Sequence, residues 1–143
     1  MFKSVLLTVD LNQEASWKKA LPQAIELVKA SGGVLHILSV VPDYGSALVE
    51  GFFPPDHVEQ VLTKAEGMME ILVADNVPAG IEVKQHLAYG NIHDKVQETL
   101  ESGDYDLVVM ASHAPDRVRE FLVGSNADRI VRRSPVSVLV VRG

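Results

Sequence analysis

Three groups of residues in this chain are of types that do chemistry. Asp10 closes the apolar run Val5-Leu-Leu-Thr-Val9, so a carboxylate stands at a strand end. Ser112 and His113 follow a second run, Asp106-Leu-Val-Val-Met-Ala111, and open a polar loop with Ala114 and Pro115. Gly124-Ser125-Asn126 starts a helical pattern that reaches Arg133. Strand, loop and helix N-terminus in that order suit an anionic phosphate group. The first helical N–H groups lack intrahelical partners, and the helix dipole adds partial positive charge there. Gly124 lets a ligand approach the backbone, and Ser125 adds a hydroxyl. Ser125 and Asn126 are equally ordinary helix caps. Arg117, Arg119, Arg129, Arg132 and Arg133 cluster in the same stretch. Arg117 and Arg119 can neutralise phosphates or form a solvated loop face.

Other chemistries find less support. His113 sits in the loop and is of a residue type that titrates near neutrality, but no Ser-His-acid set accompanies it and no second carboxylate pairs with Asp10. No catalytic residue is assigned. His36, His57, His86 and His93 lack metal-ligand spacing, so no metal site is expected. His93-Asp94 reads as a solvated pair. The chain has no cysteine, which excludes disulfides, thiolate ligands and cysteine nucleophiles.

These residues must be positioned by a folded unit. A length of 143 residues suits one domain, 1–143, with a full core. The net charge of -6 disfavours nucleic acid and anionic membrane surfaces as partners. No apolar run reaches the ~20 residues that span a bilayer, and the chain runs directly into a strand pattern without a signal peptide. A soluble, cytoplasmic protein is expected.

Ser4 to Val9, Val34 to Val41, Ile81 to Tyr89, Asp106 to Ala111 and Val136 to Val141 read as strands. The run Ile81 to Tyr89 alternates and suits a position nearer an edge. Trp17, Ala20, Leu21, Ala24 and Val28 recur at helical spacing, with Pro22 either in the first turn or at a kink. Gly32-Gly33 stops that helix. Asp56 reads as an N-cap, with Glu59 three residues on, ahead of the stripe Val58, Val61, Leu62, Ala65, Met69 and Leu72. Gly90-Asn91 opens a third helix that turns Ile92, Val96, Thr99 and Leu100 inward and ends at Gly103. Tyr44, Phe52 and Phe53 make the loop at 42–55 unusually apolar; it packs on the domain surface or serves as a ligand lid or partner contact. Strands alternating with helices imply a three-layer α/β/α protein with an open, twisted, parallel sheet. Ligands in such sheets bind outside the C-terminal strand ends. That edge collects Thr8, Val9, Asp10, Val40, Val41 and Met110 to His113.

The pattern resembles the universal stress protein family over the whole chain. Val5-Leu-Leu-Thr-Val-Asp10 resembles the first strand, ending in a nucleotide-contacting Asp. Tyr89-Gly90-Asn91 resembles the glycine after the third strand. Ala111-Ser-His-Ala114, the nine residues after it and Gly124-Ser125 resemble the signature loop, and Arg132 through Val138-Leu-Val-Val-Arg142 the C-terminal end. The resemblance implies five mainly parallel strands in the order 3-2-1-4-5 with four helices. It implies an adenine nucleotide, ATP first, at Thr8, Val9, Asp10, Val40, Met110, Ala111, Ser112, His113, Gly124, Ser125 and Asn126. Mg²⁺ would accompany a triphosphate, held mostly by phosphates and water.

Asp10 would accept from a ribose hydroxyl or the adenine edge, or else cap its own turn. Val40 would offer backbone groups to the base, or else be simply core. ATP-binding members carry two glycines where Ala111 and Ala114 stand here; a methyl group hinders close approach without plainly blocking it. The resemblance also implies stress response or regulation by a homodimer paired through the last strand, Val136 to Val141. Two alternatives stay open: a weak ATPase, and a ligand-free interaction module in which the alanines mark a lost site.

Overall fold

The computed structural model describes residues 2–42, 57–112 and 129–142. Val5, Leu6 and Leu7 are fully buried, as both faces of a central parallel strand require. They lie in β1, Ser4–Val9. A short 3₁₀ turn at Glu14–Ser16 leads to α1, Ala20–Ser31. Pro22 falls in the first turn, where its missing N–H costs nothing. Gly32 closes the helix in the left-handed conformation at φ 70°. Gly33 lies so close to the Lys3 backbone that a Cβ would collide with it.

Then follow β2, Val34–Pro42; α2, His57–Asn76; β3, Glu82–Gly90; and α3, Ile92–Ser102. The Asn91 side chain caps α3 by accepting from the Asp94 N–H at 3.2 Å. Strand β4 is Leu107–Ser112, a helix α4 includes the described residues 129–133, and β5 is Ser137–Arg142. The five strands form one sheet in the order β3-β2-β1-β4-β5, with every neighbouring pair parallel. The strand order, the parallel sheet and the four helices agree with the expectation from sequence.

Side-chain alternation splits the core into two layers. Val5, Leu7, Leu35, Ile37, Leu107 and Val109 face α1 and α2, against Leu21, Val28, Met69 and Leu72. Leu6, Leu38, Val108 and Met110 face α3 and α4, against Val96, Leu100 and Ile130. Each fully buried side chain of this kind contributes roughly 1.5–3 kcal/mol.

Some expectations shift. Asp106 lies just before β4, and its carboxylate accepts from the Lys3 N–H at 2.8 Å and the Ser4 N–H at 3.2 Å. Its own N–H donates to the Ser4 carbonyl at 2.9 Å, so it fastens the start of β1 through side chain and backbone together. Val58 and Ile92 are exposed instead of inward, because each sits in the first turn of its helix, beyond the sheet surface that the later turns cover. Asp56 and the loop aromatics Tyr44, Phe52 and Phe53 fall outside the described residues.

Candidate functional site

The β1–β4 ladder is short. It runs Val5 with Leu107, Leu6 with Val108 and Leu7 with Val109, and then stops. Yet β1 continues to Val9 and β4 to Ser112. On their other sides the same strands stay paired, Val9 with Ser39 and Ser112 with Arg142. The sheet therefore opens between β1 and β4 at its C-terminal edge. This is also where the strand order reverses, because β1 is followed in the chain by β2 on one side and β4 lies on the other.

Thr8, Val9, Met110, Ala111 and Ser112 border the opening. The Val9 and Met110 side chains are buried, one in each core layer, so only their backbone can meet a ligand. Ala111 packs its methyl group toward the α1–α2 layer, away from the opposite face. Its φ is negative, since Phe2 alone among the described non-glycine residues has positive φ.

Beside the opening lies a cleft of about 220 Å³. Asp10, Leu11 and Asn12 from the loop after β1 form one wall, and Ser39, Val40 and Val41 from β2 form the floor. Val61, Lys64, Ala65 and Met68 of α2 form the other wall. Pockets that enclose a whole small molecule measure roughly 300–1,000 Å³, so this volume matches one portion of a ligand. Its walls are apolar apart from Asn12, Ser39 and one charge of each sign, Asp10 and Lys64.

Asp10 is held by its own turn. Its Oδ1 accepts from the Asn12 N–H at 2.9 Å, its carbonyl accepts from the Gln13 N–H at 3.0 Å, and its N–H donates to Ser16 Oγ at 2.8 Å. The Ser16 hydroxyl in turn donates to the Asp10 and Gln13 carbonyls. The turn fixes the carboxylate at the mouth of the cleft, so capping and ligand binding are compatible roles. Of the residues expected from sequence, Asp10 and Val40 line the cleft and Thr8, Val9, Met110, Ala111 and Ser112 border the opening. His113, Gly124, Ser125 and Asn126 lie outside the described residues, as do Ala114, Arg117 and Arg119.

Sequence reasoning passed over Ser39, Lys64 and Met68. Ser39 shares the strand face of Ile37 and Val41, and its buried hydroxyl was a visible anomaly in an apolar run. Lys64 sits three residues after Val61 and four before Met68, on the flank of the α2 stripe. Its place in the cleft depends on α2 overhanging the strand ends, which no local pattern reveals. Among the described residues no group of three or more histidine or acidic side chains could hold a metal ion.

His93 is not part of a solvated pair with Asp94. Its Nε2 lies 3.0 Å from Arg129 Nη1 across the α3–α4 contact. Arginine can only donate, so Nε2 accepts and the proton rests on Nδ1. That Nδ1 is buried without a hydrogen-bond partner. Burial first, and then the Arg129 charge, lower the His93 pKa below its usual value.

The sequence model of the universal stress protein family matches residues 1–142. The chain belongs to this family. Universal stress protein G of Shigella flexneri is 31% identical over 144 residues, covering 99% of this chain and all of that protein. Among solved structures, universal stress protein UspA from Lactobacillus plantarum superposes with a TM-score of 0.75 at 19% identity, covering 99% of both chains. The universal stress protein from Archaeoglobus fulgidus in complex with dAMP gives a TM-score of 0.64 at 14% identity, covering 98% of both chains. These two likenesses are of fold.

Proposed function

We propose that this universal stress protein is a single domain, 1–143, that binds an adenine nucleotide, ATP first, along the C-terminal edge of its sheet. The observation that carries the reading is the opening of the β1–β4 ladder directly beside the Asp10 cleft. The base would lie in the cleft against Val41, Val61 and Met68, with the Val40 backbone reading its edge. Asp10 would accept from a ribose hydroxyl. The phosphates would run past Met110, Ala111 and Ser112 toward His113, Gly124, Ser125 and Asn126, where the sequence pattern leads to the expectation of a helix N-terminus that favours negative charge. Lys64, in the same cleft as Asp10, offsets that carboxylate and favours an anionic ligand.

Two further observations support this reading. The Ala111 methyl group packs against the α1–α2 core and its φ is negative, so alanine stands in place of glycine here without backbone strain. The Archaeoglobus fulgidus relative is a complex with an adenine nucleotide, dAMP. Mg²⁺ would join a bound triphosphate, held by phosphates and water. No helix among the described residues is long and apolar enough to cross a membrane, and we place the protein in the cytoplasm. There it would act in stress response or regulation as a homodimer. β5 ends the sheet with Val138, Leu139 and Val140 half-buried, and a second copy would cover this edge across a two-fold axis. The nucleotide would stabilise the fold or the dimer, with hydrolysis at most slow.

The test is to denature the purified protein, identify any released nucleotide by chromatography and mass, and repeat with Gly124→Val. An adenine nucleotide present in the parent and lost in the variant supports the reading. No released nucleotide, and no binding of added ATP with Mg²⁺, overturns it in favour of an interaction module.

A further inference from the structure

Strand β3 is the opposite end of the sheet and has a single strand neighbour, β2. In their register His36 stands opposite Lys84 and Leu38 opposite His86, so the two histidines are diagonal neighbours on one face. It is the face of Leu38, covered by α3. His36 Nδ1 and His86 Nε2 are 2.9 Å apart. The ring centres are 5.2 Å apart and the planes differ by 23°. Given the nitrogen contact, that separation is about the greatest two imidazoles can have, so both nitrogens lie on the line between the ring centres. The rings meet head to head in nearly one plane. Tyr105 meets His36 edge-on at 4.9 Å and 87°, and Gly103 lies so close to the Tyr105 ring that a Cβ there would collide with it.

Head-to-head contact fixes the proton count. One facing nitrogen must carry hydrogen and the other a lone pair. With both rings neutral this holds. A first added proton goes to the remote nitrogen of the donor ring and leaves the contact intact. A second must enter the contact itself, where two N–H groups then face each other, and the contact breaks.

We propose that His36 and His86 form a one-proton clasp that holds edge strand β3 to β2 at neutral pH and is forced open by the second proton, which makes this edge an acid-sensitive element of the protein. The charged groups that act on the pair are on β3: Lys84, which disfavours protonation of both rings, and Glu82, which favours it at His36. From the segment leading to β4 the titratable group that faces the pair is Tyr105. The Tyr105 phenol, raised by burial above its usual pKa, stays neutral. Burial is the first cause lowering the pKa of both histidines, followed for His36 by His86 and Lys84 and for His86 by Lys84. The folded protein thus binds fewer protons than the unfolded chain below the ordinary histidine pKa of about 6.5. The clasp's stabilisation is complete above that value and is lost as pH falls through the lower, folded-state values.

The test is an NMR titration of the ring nitrogens in the intact protein from pH 8 to 4, with amide-exchange protection followed strand by strand. The pair should titrate in two steps more than about one pH unit apart, a tenfold difference in proton affinity. Protection of Val83, Gln85 and Leu87 should fall with the second step while that of Leu6 and Val108 persists. In His86→Gln, His36 should titrate in one step and the acid-linked loss in β3 should vanish. If that variant does not fold, the parent titration decides alone. Two rings titrating together near the ordinary value, or β3 protection that tracks the other strands at every pH, overturns the proposal.

Discussion

Replacing Asp10 separates the two roles that the geometry allows it. Its Oδ1 accepts from the Asn12 N–H at 2.9 Å, and the carboxylate stands at the mouth of the cleft. Asp10→Asn keeps an oxygen for Asn12 and loses the charge; the amide then turns its NH₂ toward the ligand and cannot accept a hydroxyl proton. Asp10→Ala loses both functions. The turn bond runs to a charged acceptor, but the exposure of Asp10 lets water compete for it and brings its net contribution to about 0.5–1 kcal/mol. Asp10→Asn should therefore unfold in urea within about 0.5 kcal/mol of the parent, and Asp10→Ala about 0.5–1 kcal/mol lower. A hydrogen bond to a charged acceptor contributes about 1.5–3 kcal/mol. Both variants should thus bind ATP roughly ten- to a hundredfold more weakly, at 1.4 kcal/mol per factor of ten. Titration calorimetry measures the affinity and urea melts the stability. Parent-like ATP affinity in a stably folded Asp10→Asn would refute the ligand role and leave Asp10 a turn residue only.

Other outcomes follow from the same structure. Gly90→Ala should cost about 1–3 kcal/mol in urea unfolding, because Gly90 has φ +143° and a Cβ there would sit 2.9 Å from Lys95 Cε; an unchanged midpoint would show that the strand end relaxes freely. Lys64→Glu should weaken ATP about tenfold, the scale of one local charge reversal in a partly screened site, and leave adenosine affinity unchanged; equal losses for both ligands would mean that Lys64 only shapes the cleft. Val138→Lys should convert a sedimenting dimer to a monomer, whereas a retained dimer mass would move the interface away from β5.

The strand runs were legible because a parallel strand buried on both faces must be apolar nearly throughout; β1 was read as Ser4 to Val9, its observed span. The last two strands begin one residue later than read. At β4 the residue before the strand is Asp106, which ties the start of β1 with its carboxylate and its N–H, a contact about a hundred residues away in the chain. Helix stripes were legible in mid-helix, as at Ala65, Met69 and Leu72, and misleading in first turns, as at Val58 and Ile92, since periodicity does not say where a helix leaves the sheet. Asp10 and Val40 could be placed at the cleft because strand ends are marked in sequence. Lys64 and Met68 could not, since their role depends on how α2 lies over β2. The meeting of His36 and His86 likewise needs the β2–β3 register, which sets them diagonally across strands 50 residues apart.

The measurement that tests the central claim most directly is an amide-resolved NMR titration of the parent protein with ATP and Mg²⁺. Saturating shifts should concentrate at Asp10, Leu11, Val40, Val41 and Lys64 and along Met110 to Ser112. No shifts at millimolar ATP, or shifts centred elsewhere with these amides unmoved, would contradict a nucleotide site at the open edge of the sheet.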